Sequence, residues 1–139
     1  MERIVSTHGP EETEEVGFGL ASLLTDGDVV ALVGELGAGK TTFVRGLARG
    51  LFVKEVILSP SFLLARSYEG RIPFHHLDAY RITSPRELAE VGLEELLPPS
   101  AGVTAVEWAD RIADLIPPQA VWVTLEHAGD DRRRITLRR

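Results

Sequence analysis

Residues 29–51, "VVALVGELGAGKTTFVRGLARGL", decide how this 139-residue chain folds. "VVALV" (29–33) is a continuous, mostly β-branched apolar run, the pattern of a strand buried on both faces of a parallel sheet. Beyond the glycines, Phe43, Val44, Leu47, Ala48 and Leu51 recur at helical spacing while Arg45 and Arg49 point elsewhere. The stretch therefore reads as strand, turn and helix. Its centre, Gly34-Glu35-Leu36-Gly37-Ala38-Gly39-Lys40-Thr41, fits G-x-x-x-x-G-K-[ST] without a mismatch and in the required context. Glycines admit positive φ and let successive N–H groups curl around an anion, and the helix N-terminus adds partial positive charge. Gly34, Gly37, Ala38, Gly39, Lys40, Thr41 and Thr42 are thus expected to bind a nucleoside triphosphate. Lys40 would neutralise the β- and γ-phosphates, and the Thr41 hydroxyl would ligate Mg²⁺. A dinucleotide fingerprint fits less well, because Gly37-x-Gly39 is followed three residues later by Thr42 where glycine or alanine is wanted.

A Mg-nucleotide site also needs a carboxylate at the end of a neighbouring strand. Glu107 ends the largely apolar "VTAVE", so its carboxylate should emerge at the carboxyl edge of the sheet, where open α/β sheets bind ligands. Asp78, after "FHHL", is the second candidate. His75 and His76 invite a transition-metal reading. Adjacent strand residues face opposite ways, however, so only His76 and Asp78 share a side, too few for a closed site. A histidine held in a polar network is the expectation. Trp108 either stacks on a base or fills the junction after its strand, and Tyr80 and Arg81 follow the hairpin, where an arginine has a route to the γ-phosphate or to a partner surface.

The flanking sequence supplies the rest of an α/β pattern. "ERIVS" suggests a first strand. Gly9 and Pro10 open a helix with Glu11 and Glu12 in its first turn and an apolar face of Val16, Leu20, Leu23 and Leu24, ended by "TDGD". "LLARSYEGRIPFHHLDAY" reads as two strands around a turn at 69–71. Ser84, Pro85 and Glu87 form a capping box ahead of a helix. "GVTAVEW" is a further strand and "ADRIADLI" a short helix, and two closing strands flank "GDD". This order predicts a single domain over 1–139, three-layered, with a mixed, mainly parallel sheet and an inserted antiparallel hairpin.

The net charge of −6, from 15 basic and 21 acidic residues, argues against general nucleic-acid attraction. The arginine-rich tail "DRRRITLRR" is the local exception, read either as a face for an acidic partner or RNA, or as an edge strand protected by charge. No signal-peptide pattern is visible and no apolar stretch approaches the ~20 residues of a membrane span, so a cytoplasmic protein with no membrane or DNA partner is expected. Cysteine is absent, which removes disulfides and thiolate metal sites.

Taken together, "GELGAGKTTFVRGLARGL", "SPSF" (59–62), "HLDAYR" (76–81) and "VEW" (106–108) resemble the TsaE family of bacterial P-loop ATPases, in that order and across nearly the whole chain. The resemblance implies ATP hydrolysis with Mg²⁺ in the pathway that forms threonylcarbamoyladenosine at position 37 of tRNAs reading codons beginning with A. Partners would be TsaB and TsaD, TsaD being the transferase, with tRNA met only through the complex. It implies that Thr41 and Glu107 hold Mg²⁺, that Asp78 serves hydrolysis, and that Trp108 lies near the nucleotide, with Thr7 toward the adenine. Ser61 departs from the family's usual threonine. A small-molecule kinase and a nucleotide-sensing module without useful hydrolysis are the competing readings of the same loop.

Overall fold

The computed structural model describes residues 2–35, 37–58 and 64–139. Ser61 and the rest of "SPSF" lie outside them. In chain order the elements are β1 (Glu2–Thr7), α1 (Pro10–Ala21), β2 (Val29–Gly34), α2 (Lys40–Gly50), β3 (Ala65–Tyr68), β4 (Phe74–Asp78), α3 (Arg86–Glu90), β5 (Val103–Glu107), β6 (Val121–His127) and β7 (Arg133–Arg138). Short 3-10 turns occupy Leu93–Leu96 and Ala109–Leu115.

The strands form one sheet in the order β1-β7-β6-β2-β5-β4-β3. The centre, β6, β2, β5 and β4, is parallel. β7 and β1 extend one side and β3 the other through antiparallel pairs. Because β1 reverses β7 and β7 reverses β6, only β7 and β3 run against the rest. The mixed, mainly parallel sheet and its inserted hairpin are therefore as expected.

Two apolar clusters cover the two faces. Val30 and Leu32 of β2 pack with Phe43, Val44 and Leu47 of α2. Val29 and Ala31, one residue out of phase, face Leu88 of α3 and Ile112 of the second 3-10 turn. This alternation on a strand buried on both sides is what a run such as "VVALV" permits. All five apolar positions predicted on α2 are buried.

The packing of α1 on α2 depends on glycine. A Cβ on Gly46 would sit 1.8 Å from the Glu14 carbonyl oxygen, and one on Gly17 would sit 2.3 Å from that of Phe43. The face of α1 is accordingly Thr13, Gly17, Leu20 and Ala21. Leu23, expected on that face, lies beyond the end of α1 and is 63% exposed. At the other end of the hairpin, Arg71 bonds the carbonyls of Ala21 and Leu24, satisfying groups that the end of α1 leaves open.

Two further expectations shift. The capping box ahead of α3 pairs Glu87 with Thr83, whose N–H and hydroxyl both donate to the carboxylate, while Ser84 Oγ accepts the Arg86 N–H at 3.3 Å. The helix then stops at Glu90, and Gly92, at φ +74, breaks the expected single segment into two. The arginine-rich strand is not at the sheet edge, because β1 covers it. Arg134, Arg138 and Arg139 meet Glu126, Glu2 and Asp28 of the same chain. No helix among the described residues is long and apolar enough to cross a membrane.

Gly46→Ala is expected to destabilise the fold by about 1–3 kcal/mol through overpacking. Gly19→Ala, on the exposed side of α1 with nothing within 4 Å of the added Cβ, should stabilise it by about 0.5–1 kcal/mol. Urea unfolding of both variants measures the contrast.

Candidate nucleotide site

The loop between β2 and α2 bends where left-handed backbone is required. Gly37 has φ +78, and Gly39, the residue preceding α2, has φ +104. Gly34 serves a different need: a Cβ there would lie 2.7 Å from the Leu125 carbonyl of β6. Lys40 and Thr41 then occupy the first turn of α2, where backbone N–H groups lack helical partners and face outward.

Register brings the acids to this turn. In the parallel ladders, Leu32 of β2 and Asp78 of β4 both pair with Glu107 of β5, so the two acids that end β4 and β5 stand level, and β2 runs two residues further, to Gly34. The Thr41 hydroxyl lies 3.1 Å from each Glu107 carboxylate oxygen. On the far side of the carboxylate, His76 Nε2 stands 2.6 Å from Oε2. His76 is thus held in a polar network, as expected. Asp78 accepts the Tyr80 N–H at 2.9 Å.

Lys40 is buried, and its ammonium donates to the carbonyls of Gly34 (2.6 Å) and Glu35 (2.9 Å). It lies 4.1 Å from the centre of the Trp108 ring. Burial holds its pKa below the usual lysine value, against the upward pull of Glu107, Asp78 and Asp110. Burial likewise raises Asp78 above the ordinary aspartate value. The Tyr80 N–H, His76 and Lys40 oppose that rise, and the negative charge of Glu107 adds to it.

Trp108 adopts φ +59, costly for a residue with a Cβ, as β5 gives way to the following turn. This kink aims the indole at Lys40 and Tyr80, whose ring centre is 5.0 Å away. Among the described residues a cavity of about 390 Å³ is lined by Gly37, Gly39, Lys40, Thr41, Thr42, Asp78, Glu107 and Trp108, with Tyr80 and Arg81 at its wall.

Three predicted residues lie off this cavity. Ala38 is buried within the loop, its N–H bonded to the Glu35 carbonyl. Gly34 sits against β6. Thr7 is buried and bonds Thr13 at 2.9 Å, and Thr13 lines a smaller hollow of about 100 Å³ behind the loop with Gly9, Thr42 and Arg133.

Arg133 was missed as a site residue. Its guanidinium donates to the carbonyls of Ala38 and Gly37, both at 3.2 Å, and so braces the loop from behind. No local pattern distinguishes it from its arginine neighbours, and only the position of β7 beside the loop does so.

The donors at Thr41, Glu107 and Asp78 are hard oxygens, the chemistry that suits Mg²⁺. Of these, Thr41 and Glu107 are in direct contact, a pair of side-chain oxygen donors. So small a donor set fits a cation that keeps several waters and is held together with substrate phosphates.

Strand, glycine loop and helix, with two carboxylates on adjacent strands, define a P-loop α/β fold. The profile described as "Threonylcarbamoyl adenosine biosynthesis protein TsaE" matches residues 7–135, and the chain belongs to the TsaE family. It is 40% identical to the "tRNA threonylcarbamoyladenosine biosynthesis protein TsaE" of Bacillus subtilis, over 94% of this chain and 82% of that protein. It is 39% identical to the protein so described from Treponema pallidum, over 91% of this chain and 93% of that one. The crystal structure of Bacillus subtilis YdiB superposes with a TM-score of 0.81 at 35% identity, covering 99% of this chain and 84% of that one.

The raised Asp78 predicts a pH-dependent cost. Above its folded pKa the buried carboxylate is ionised and destabilises the ligand-free protein. Below the unfolded value both states are protonated and the cost vanishes. Asp78→Asn should therefore raise the urea midpoint at pH 7, and the gain should disappear as pH falls toward the ordinary value of 3.8.

Proposed function

We propose that this chain is a Mg²⁺-dependent ATPase that supports formation of threonylcarbamoyladenosine at position 37 of tRNAs reading codons beginning with A. It acts with TsaB- and TsaD-type partners in the cytoplasm, and the TsaD-type protein performs the transfer. The observation that carries the reading is the contact between the Thr41 hydroxyl and both oxygens of Glu107, made at the open end of α2 beside Lys40.

Bound Mg²⁺ would supply positive charge against the phosphates, with Thr41 and Glu107 as its protein ligands. The N–H groups of the loop and of the first turn of α2 bind the phosphate oxygens. Lys40, parked on loop carbonyls and the Trp108 ring, brings its ammonium to the β- and γ-phosphates, which restore the charge stabilisation that burial removes. Asp78 accepts a hydrogen bond from the attacking water. Its proton affinity, raised by burial, suits that task. Trp108 and Tyr80 shield the reacting end from bulk water. Thr7 and the hollow behind the loop lie toward the adenine. Catalysis here consists of positioning and charge, so a partner that orders the site accelerates it.

Phosphate release from Mg-ATP by the purified chain, alone and with its TsaB and TsaD counterparts, tests this reading. Release should be slow alone and stimulated by the partners, and Lys40→Ala or Glu107→Ala should lower it about 10²-fold or more. ATP binding without release under any condition would favour a nucleotide-sensing module. Phosphate appearing on a small acceptor would identify a kinase.

A further inference from the structure

His76 lies in the same strand as Asp78 and is 0% exposed. Its Nε2 is 2.6 Å from Glu107 Oε2, while Nδ1 meets no hydrogen-bond partner among the described residues. A carboxylate only accepts, so Nε2 carries the hydrogen of this bond. Burying an imidazole is unfavourable compared with burying an apolar side chain of similar size. The hydrogen bond that offsets the burial is the one to Glu107.

The strand and a neighbouring ring set the place of the imidazole. It stacks on Phe74, with centres 6.5 Å apart and planes 22° from parallel. Its backbone is paired on both sides, with Arg66 of β3 and Ala105 of β5. Thr41 Oγ1 is equidistant from the two Glu107 oxygens and does not set the rotation of the carboxylate. His76 engages one oxygen, Oε2, and so breaks that symmetry.

From this geometry we infer that His76 is a positioning residue: its Nε2–H holds Oε2 of Glu107 and fixes the carboxylate in the orientation in which it receives the divalent cation. This rests on the reading of the site as a Mg-nucleotide site. A partner behind a metal ligand orients it and strengthens its hold, and its loss costs metal affinity without removing any ligand.

The test uses the full chain with ADP and Mn²⁺ as the probe for Mg²⁺, free Mn²⁺ being read by electron paramagnetic resonance. ADP affinity in EDTA and the thermal midpoint are measured alongside. His76→Leu should weaken Mn²⁺ binding to the ADP complex by roughly 10–100-fold, with ADP affinity in EDTA unchanged. His76→Gln, whose amide N–H reaches near the place of Nε2, should restore most of the loss, and the shorter His76→Asn should not. A folded His76→Leu protein that binds Mn²⁺ like the wild type overturns the inference. So does a His76→Gln protein as impaired as His76→Asn, a comparison that decides the matter if the leucine variant does not fold. If the wild type itself shows no ADP-dependent Mn²⁺ binding, the Mg-nucleotide reading falls first and the role of His76 with it. Equal Mn²⁺ affinity across wild type and variants removes only the role of His76.

Discussion

β5 pairs in parallel with β2 on one side and β4 on the other, in a register that sets Leu32, Glu107 and Asp78 level across the sheet. The remainder of the site depends on that register. Side chains alternate along a strand, so a slip of one residue in β5 would turn Glu107 to the opposite face and carry its carboxylate away from Thr41 and His76. Every residue of β5 is buried, and the apolar contacts of Val103, Ala105 and Val106 on both faces oppose such a slip. The packing of the core and the geometry of the site are in this sense one constraint.

The close approach of α1 to α2 extends the same logic to the loop. With glycine at 17 and 46 the helix backbones meet directly, which keeps α2 seated on the sheet and its first turn opposite Glu107. Arg133 braces the loop from the other side through the carbonyls of Gly37 and Ala38. The loop between β2 and α2 is therefore supported from both sides, by α1 through α2 and by Arg133 of β7.

Electrostatically the ligand-free site is uncomfortable. Lys40 is held below its usual pKa and Asp78 above its own, each chiefly by burial, although the two attract one another. The positive φ of Trp108 adds conformational cost at the same place. Groups arranged against their own stability gather at functional sites, and under the proposed function the phosphates and the cation would supply the charge that is lacking here. Asp78, Lys40 and Trp108 thus each carry a cost to the ligand-free fold.

Reading along the chain, the strand at 29–34, the loop and α2 are evident because the information is local: eight contiguous residues, a run of branched apolar side chains, and helical spacing behind them. The sheet type and the hairpin follow from the order of such segments. The divided helix after Thr83 and the exposed Leu23 are less legible, since a single glycine or the exact end of a helix decides them against a pattern that favours continuation. The acids were visible as candidates, Glu107 at the carboxyl edge of the sheet, but the geometry of their contacts was not. The bonds that build the site join residues 66 positions apart for Thr41 and Glu107, 31 for His76 and Glu107, and 95 for Arg133 and Ala38. The amino-acid sequence by itself determined the phosphate loop, the α/β class and the family, because each is written in contiguous residues or in their order. Only the tertiary structure decided that Glu107 is held by Thr41 and His76, that Arg133 supports the loop, and that the arginine-rich strand lies inside the sheet. These depend on which strands become neighbours and in what register, a choice made by packing across the whole core.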